Sequence, residues 1–147
     1  MKDLLLVAHI GGRQCAFDAI DVQSVIELDE VTPVPGTFDH IAGIAALRSQ
    51  TLTVICCRKA LGIDTRKLSL DHRAVVVTVR GHSYALKVDK IEDITTGVIS
   101  PETVLGGFGD EWSRVATGMI ETTLGPSLLL DLPQLIEAIS DDVRAVA

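Results

Sequence analysis

The chain contains a weak internal repeat, and this repeat limits the folds that it can adopt. A shift of 69 residues places Ile10–Phe17 on Val79–Leu86, and both segments have the pattern of a strand, a tight turn and a returning strand. A shift of 75 residues places Gly43-Ile44 on Gly118-Met119. Each half therefore has the order hairpin, strand, loop, hairpin and short helix, which predicts two copies of one five-stranded unit.

The composition favours an all-β fold. Apolar residues make up 47% of the 147 residues and aromatic residues only 3%, so Val, Ile, Leu and Ala must fill the core. Short strands are best protected when a sheet closes on itself, because closure removes exposed edges. We therefore expect two small closed barrels that bury the apolar runs Leu4–Ile10 and Ala74–Val79 between them.

The stretch Ile41–Ile63 predicts a hairpin followed by a short helix. Its strands are expected at Ile41–Leu47 and Thr51–Cys57, joined by a polar turn at residues 48–50. The segment before this stretch, Asp21–Leu28, fits either a helix or a strand, and both interpretations remain open.

The second half ends in a similar way. Ser100–Ser113 is rich in glycine and predicts the longest loop. Arg114–Thr122 and Ser127–Leu130 predict a final hairpin that turns at Gly125-Pro126. Asp131 is a suitable N-cap for a last helix over Leu132–Ile139.

The charge balance excludes some partners. The net charge is −7 and the basic residues are scattered, which argues against binding to a phosphate backbone. No apolar run reaches the roughly 20 residues of a membrane span. Three cysteines without framework spacing fit a reducing compartment. We expect a cytoplasmic protein that binds no nucleic acid and does not insert into a membrane.

Adjacent Cys56 and Cys57 are the strongest candidates for reactive chemistry. Successive side chains of a strand point to opposite faces, so this pair is poorly placed to chelate one metal, and we expect two small core residues. The four histidines lie one per element without metal-ligand spacing. We expect no enzyme activity, no cofactor and no metal site. A thiol redox or metal-binding protein that uses this pair is the alternative from another class.

The sequence resembles the CheW-like domains, the coupling proteins of bacterial chemosensory arrays. The residues Gly43 to Arg48, GIAALR, followed by a strand, are similar to the family signature G-V-x-N-L-R-G-x-x-x-P-V-x-D-L-R. Asp21–Val25, Val88-Asp89 and Thr117-Gly118 support the resemblance, which covers nearly the whole chain. It implies one domain over residues 1–147 with two SH3-like five-stranded barrels around a shared core. The expected barrel boundaries are about 13–72 and 73–140, and sharing of the N-terminal strand stays open.

Five residues depart from the signature: Ala46, Ser49, Thr53, Cys56 and Cys57. Ser49 replaces a glycine, the residue favoured where φ must be positive. Either the turn has changed type or Ser49 is strained. In the second half, Asp131-Leu132 supplies the Asp-Leu pair that Cys56-Cys57 lacks.

The resemblance implies a non-enzymatic adaptor between the regulatory domain of a chemosensory histidine kinase and the cytoplasmic tip of a chemoreceptor. A scaffold of a non-chemotactic kinase pathway is the alternative. From the residues alone, Arg48 is either an ordinary solvated turn residue or a rim residue whose planar fork binds a carboxylate, and the resemblance favours binding. The expected partner-binding residues are Val22, Ser24, Val25, Gly43, Arg48 and Ser49.

Overall fold

A computed structural model describes residues 2–28, 30–36, 40–63, 70–99, 112 and 115–137. In this part of the chain ten strands form, together with a 3-10 turn at Ala19–Asp21, a helix α1 and a helix α2 over residues 132–137. The strands and α1 are β1 (Lys2–Ile10), β2 (Arg13–Asp18), β3 (Val22–Glu27), β4 (Ile41–Leu47), β5 (Gln50–Cys56), α1 (Cys57–Ala60), β6 (Arg73–Val79), β7 (His82–Lys87), β8 (Lys90–Ile99), β9 (Ala116–Thr122) and β10 (Gly125–Leu130).

The strands form two sheets. One is a closed barrel with the order β1-β2-β10-β9-β8, and the other, the second sheet, has the order β3-β6-β7-β5-β4. The all-β fold class, with two five-stranded units, is confirmed. The expectation that both units are closed barrels holds only for the first, because β3 and β4 do not pair along their length in the described residues. In the repeat, β1 to β5 correspond to β6 to β10. When each strand of the closed barrel is replaced by its counterpart, the strand neighbours of the second sheet result, so the strand pairing shows the same repeat as the sequence.

The two sheets are not the two halves of the sequence. Each sheet takes one hairpin from one copy and three strands from the other copy. A parallel strand pair joins the hairpin to the three strands: β2 with β10 in the closed barrel, and β7 with β5 in the second sheet. The closed barrel therefore combines both ends of the chain, while the second sheet uses residues 22–87. The expected boundaries of about 13–72 and 73–140 follow the repeat copies and differ from these sheets, because letter similarity does not report which strands pair.

A shared core lies between the two sheets. The closed barrel contributes Leu6 and Phe17 and the second sheet contributes Val75 and Leu86, each with at most 2% of its surface exposed. Alternate residues of the two apolar runs are therefore buried between the sheets as expected, whereas Leu4 is 54% exposed. Full burial of one such side chain contributes about 1.5–3 kcal/mol, so the shared core is a major source of stability.

Several local expectations are settled. Asp21–Leu28 is a strand over Val22–Glu27 rather than a helix, because pairing with β6 outweighs its helical spacing. The final hairpin turns at residues 123–124, so the predicted turn at Gly125-Pro126 is wrong, since Gly125 already pairs with Thr122. Cys57 begins α1 instead of ending β5.

At the end of the chain, Asp131 caps α2 as predicted, because its Oδ1 accepts a hydrogen bond from the Gln134 amide at 3.0 Å. Trp112 is the only described residue between 100 and 114, so most of the loop predicted at Ser100–Ser113 lies outside the described residues, as does Ile139.

A buried carboxylate fastens the second sheet to the closed barrel. The side chain of Asp71 is 6% exposed, and its oxygens accept hydrogen bonds from the Arg73 guanidinium at 3.0 and 3.1 Å. The backbone amides of Arg73 and Ile91 donate at 2.9 and 2.8 Å. Burial raises the pKa of Asp71, but these hydrogen bonds outweigh it and hold the pKa well below its usual value.

Replacement of Asp71 by Asn should destabilise the fold by about 2 kcal/mol at pH 7, because charge-assisted hydrogen bonds are lost. The folded pKa lies below the unfolded value of about 3.9, so the stabilisation is complete above that pH and declines as the pH falls below it. Urea unfolding at pH 7 and pH 3 should therefore show the difference from wild type shrinking by about 1 kcal/mol. The exposed Asp93→Asn serves as the control, and an equal Asp71→Asn difference at both pH values would contradict this assignment.

Candidate functional site: two surfaces around β3 and the β4–β5 turn

The β4–β5 turn presents an arginine in an unusual backbone conformation. Leu47 pairs with Gln50, so the turn contains only Arg48 and Ser49. The positive φ of 58° falls on Arg48, and Ser49 has no positive φ. The serine that replaces glycine is therefore accommodated without strain, and the strained residue is its neighbour Arg48.

The guanidinium of Arg48 is available to a partner. Arg48 is exposed, and it has no hydrogen bond or ion pair with the residues that the structure describes. In the counterpart turn, Thr123 bonds to the hydroxyl of Thr95 and the Leu124 carbonyl accepts from Gln14 Nε2 at 3.2 Å. One turn is thus tied to its own barrel, whereas the other offers an unpaired planar cation suited to a carboxylate.

Three of the expected residues come together at this turn. Ser24, Arg48 and Ser49, with Gln23 and Gln50 beside them, line a cavity of about 540 Å³ between β3 and the β4–β5 turn. We call Ser24, Arg48 and Ser49 the turn surface. Its members come from segments that are more than 20 residues apart in sequence, and the fold brings them together.

Val22 and Val25 lie on the opposite face of β3. They pair with Val77 and Val75, which belong to the shared core, and paired residues occupy the same face of a sheet. Val25 is 37% exposed. We call Val22 and Val25 the margin surface, because they extend the shared core to its edge at the protein surface.

Gly43 has a structural role. Its φ is 148°, and a Cβ atom placed on it would lie 2.2 Å from the carbonyl oxygen of Thr32. Gly43 is buried beneath Thr32, so a partner could reach it only if Thr32 moved. Gly118, its repeat counterpart, has a φ of 150°, which shows that both copies use this glycine to bend the strand.

Sequence reasoning missed two apolar residues on the surface of the closed barrel. Leu4 on β1 and Ile94 on β8 are each 54% exposed, and their strands are paired. A shift of 69 residues places Val25 on Ile94. The repeat therefore contained the signal for Ile94, because it pairs with Leu6 of the shared core as Val25 pairs with Val75.

The cysteines are core residues. Cys15, Cys56 and Cys57 are free and at most 3% exposed. Burial raises the pKa of Cys15 to about 12 and also raises the pKa of Cys57 well above its usual value. Since the thiolate is the reactive form, these surroundings suppress thiol chemistry.

Two features are absent from the part of the chain that the structure describes. Within it, no three or more His, Cys, Asp or Glu side chains are grouped so that they could hold a metal ion. Its helices are also too short to span a bilayer.

In the folded protein all three thiols should resist a reagent such as DTNB, because neither the reagent nor water reaches them. In urea above the unfolding midpoint, three thiols per chain should react. Labelling of Cys56 and Cys57 in the folded state, at a rate faster than unfolding, would contradict their assignment as core residues and favour the redox alternative.

Comparisons with known proteins identify the family of this fold. The family model for the CheW-like domain matches residues 4–140. The chain belongs to the CheW-like domain family. It is 25% identical over 139 residues to the chemotaxis protein CheW of Thermotoga maritima, with 92% of this chain and 89% of the relative covered.

Two further similarities are more limited. The chemotaxis protein CheW of Bacillus subtilis is 26% identical over 92 residues, which cover 63% of this chain and 59% of the relative. The crystal structure of the scaffolding protein TtCheW from Thermoanaerobacter tengcongensis has a TM-score of 0.76 at 22% identity, covering 92% of this chain and 88% of that one. This last comparison shows the fold alone.

The fold explains one departure of this CheW-like domain from the signature. Cys56 occupies the N-cap of α1 and makes no side-chain hydrogen bond there, whereas Asp131 caps α2. The signature aspartate is thus a helix cap, and its replacement by Cys56 removes an interaction that typically stabilises by about 1 kcal/mol. Arg58, which matches the last signature residue, lies 3.7 Å from Asp89 in a largely buried ion pair.

Proposed function

We propose that this CheW-like domain is a non-enzymatic cytoplasmic adaptor that couples chemoreceptors to a chemosensory histidine kinase. One observation carries the proposal: β3 contributes to two chemically different surfaces, with Ser24 beside the β4–β5 turn on one face and Val22 and Val25 on the other. The turn surface offers an unpaired cation, and the margin surface offers aliphatic side chains. An adaptor needs two sites that can be occupied together, and a single strand between them keeps both in fixed relation.

The turn surface is the proposed site for the kinase regulatory domain. Its polar cavity and free guanidinium suit a carboxylate on a folded partner, where bidentate pairing gives geometric specificity. Arginine is also enriched among residues that dominate interface energies. Ser24 and Ser49 flank Arg48 with small side chains that allow a partner to approach the turn closely.

The margin surface is the proposed site for the receptor tip. A receptor helix that places an apolar stripe against Val22 and Val25 would extend the shared core by one layer, in the helix-in-groove mode. Aliphatic contact without charge suits this mode, because burial of apolar area drives the association.

Replacement of Arg48 by Ala should leave the unfolding midpoint unchanged and weaken capture of the kinase regulatory domain about tenfold or more, because an interface arginine is lost. Arg48→Lys keeps the positive charge but not the planar guanidinium, so it should bind the kinase domain little better than Arg48→Ala does. Arg48→Gly is the matched control for the backbone. It relieves the positive φ, so it should stabilise the fold while binding is still lost. Kinase capture by Arg48→Ala at the wild-type level would refute this site.

Replacement of Val25 by Thr preserves shape and strand propensity but exchanges a methyl group for a hydroxyl group. Burial of this hydroxyl under a partner costs free energy, so binding of a receptor-tip fragment should weaken about tenfold. Kinase capture should be unchanged. Leu124→Thr, at an exposed apolar position on the other barrel, is the control. Calorimetric titration measures the affinity of each variant for the receptor fragment and for the kinase domain. Equal effects of the two substitutions on receptor binding would contradict the assignment of the margin surface as the receptor site.

A further inference from the structure

One strand pairing that the repeat predicts is absent from the described residues. In the closed barrel, β8 pairs with β9 through Gly97–Thr122, Val98–Glu121 and Ile99–Ile120. The counterparts β3 and β4 are the two edges of the second sheet. The connection that follows β3 makes only an isolated bridge to β4, in which Thr32 and Ile44 exchange two hydrogen bonds of 2.9 Å.

The chain after β3 explains why this gap stays open. The Leu28 amide donates to the His72 carbonyl at 3.0 Å and so remains on the β6 side. Thr32 is already bonded to Ile44 of β4. The chain is therefore bonded to β4 only near Ile44, and the rest of the space between β3 and β4 has no strand in it among the described residues. We call this space, between Gln23–Glu27 of β3 and Ala45–Leu47 of β4, the β3–β4 seam.

The seam is lined by two neighbouring cavities. They have volumes of about 550 and 540 Å³, and both are lined by Ile26 of β3 and Leu47 of β4. These two residues and Leu28 pack on the small core of the second sheet while remaining partly exposed. The seam thus has an apolar floor, and its rims are strand edges whose outward N–H and C=O groups have no strand partner in the described residues.

The seam also has opposite charges at its two ends. Glu27 and Glu30 line the first cavity, and Arg48 lines the second. The Glu27 side chain is 70% exposed, and its ion pair with His72 is long, at 3.7 Å. A bound segment therefore meets an anionic end and a cationic end.

From these features we infer that the β3–β4 seam binds an extended peptide segment of another protein, which adds a strand to the second sheet. β3 has six residues and β4 has seven, so the segment is about six or seven residues long. Its backbone bonds to the open edge, its apolar side chains cover Ile26 and Leu47, a Lys or Arg faces Glu27 and Glu30, and a carboxylate faces Arg48. This is β-strand addition, a binding mode different from the two proposed above, although the cationic end of the seam is shared with the turn surface.

The test is selection of a random heptapeptide display library on the whole protein, with counterselection on the double variant Glu27→Lys/Glu30→Lys. Enriched peptides should alternate apolar residues and carry a basic residue at one end and an acidic residue at the other. Their affinity should fall about tenfold on the double variant and on Arg48→Ala. Asp93→Lys/Glu121→Lys, which makes the same charge change on exposed residues of the closed barrel, should leave affinity unchanged.

Two measurements on a selected peptide separate strand addition from other modes. Hydrogen exchange should slow at amides of residues 23–28 and 45–47 when the peptide binds. Methylation of alternate backbone nitrogens of the peptide should weaken binding about tenfold, because main-chain hydrogen bonds are lost. The inference is overturned by no enrichment over the counterselection, by the absence of slowed exchange at residues 45–47, or by unchanged affinity after methylation. A loss of kinase capture in Arg48→Ala with no peptide enrichment would reject the seam alone.

Discussion

The exchange of hairpins between the two repeat copies is the constraint on which the rest of the molecule depends. The hairpin β1–β2 completes a barrel whose other strands come from the second copy, and β6–β7 does the same for the first copy. Each hairpin also turns one face to the shared core, through residues such as Leu6 and Val75. Neither sheet can therefore form from one half of the chain, and the long-range pairings must all be made before the core is complete.

This arrangement gives β3 its special position. Its outer face carries Val22 and Val25 at the margin of the shared core, and its inner face carries Ser24 and Ile26 towards the seam. A strand inside a fully closed barrel would be paired along both edges and would offer only its outer face. Because β3 is an edge strand, three kinds of contact are available: the outer face, the end of the sheet beside Arg48, and the backbone edge itself.

Much of this fold was predictable from local pattern, because alternating apolar residues and glycine turns define hairpins within a few residues. The bounds of β4 and the cap at Asp131 follow from such signals. The pairing of β2 with β10 could not be predicted, because no local sequence pattern in either segment indicates which distant strand it pairs with. At the site, Arg48 could be identified by its place in an apolar hairpin. Its positive φ could not be predicted from that place, and the burial of Gly43 under Thr32 and the open seam depend on the tertiary contacts of Leu28 and Thr32.

Departures from the internal symmetry are the most informative features of this molecule. Positions that both copies share, such as Gly43 and Gly118, serve the fold, because the same backbone bend is needed twice. Positions where the copies differ are free of that shared requirement. The Arg48 turn faces solvent while the Thr123 turn is bonded to Thr95, and β3 and β4 stay apart where β8 and β9 pair. Both differences fall in the second sheet and adjoin the same cavity. An exposed cation without an ion-pair partner can bind a carboxylate, and an unpaired strand edge can accept another strand, which is why we place recognition on this side of the molecule.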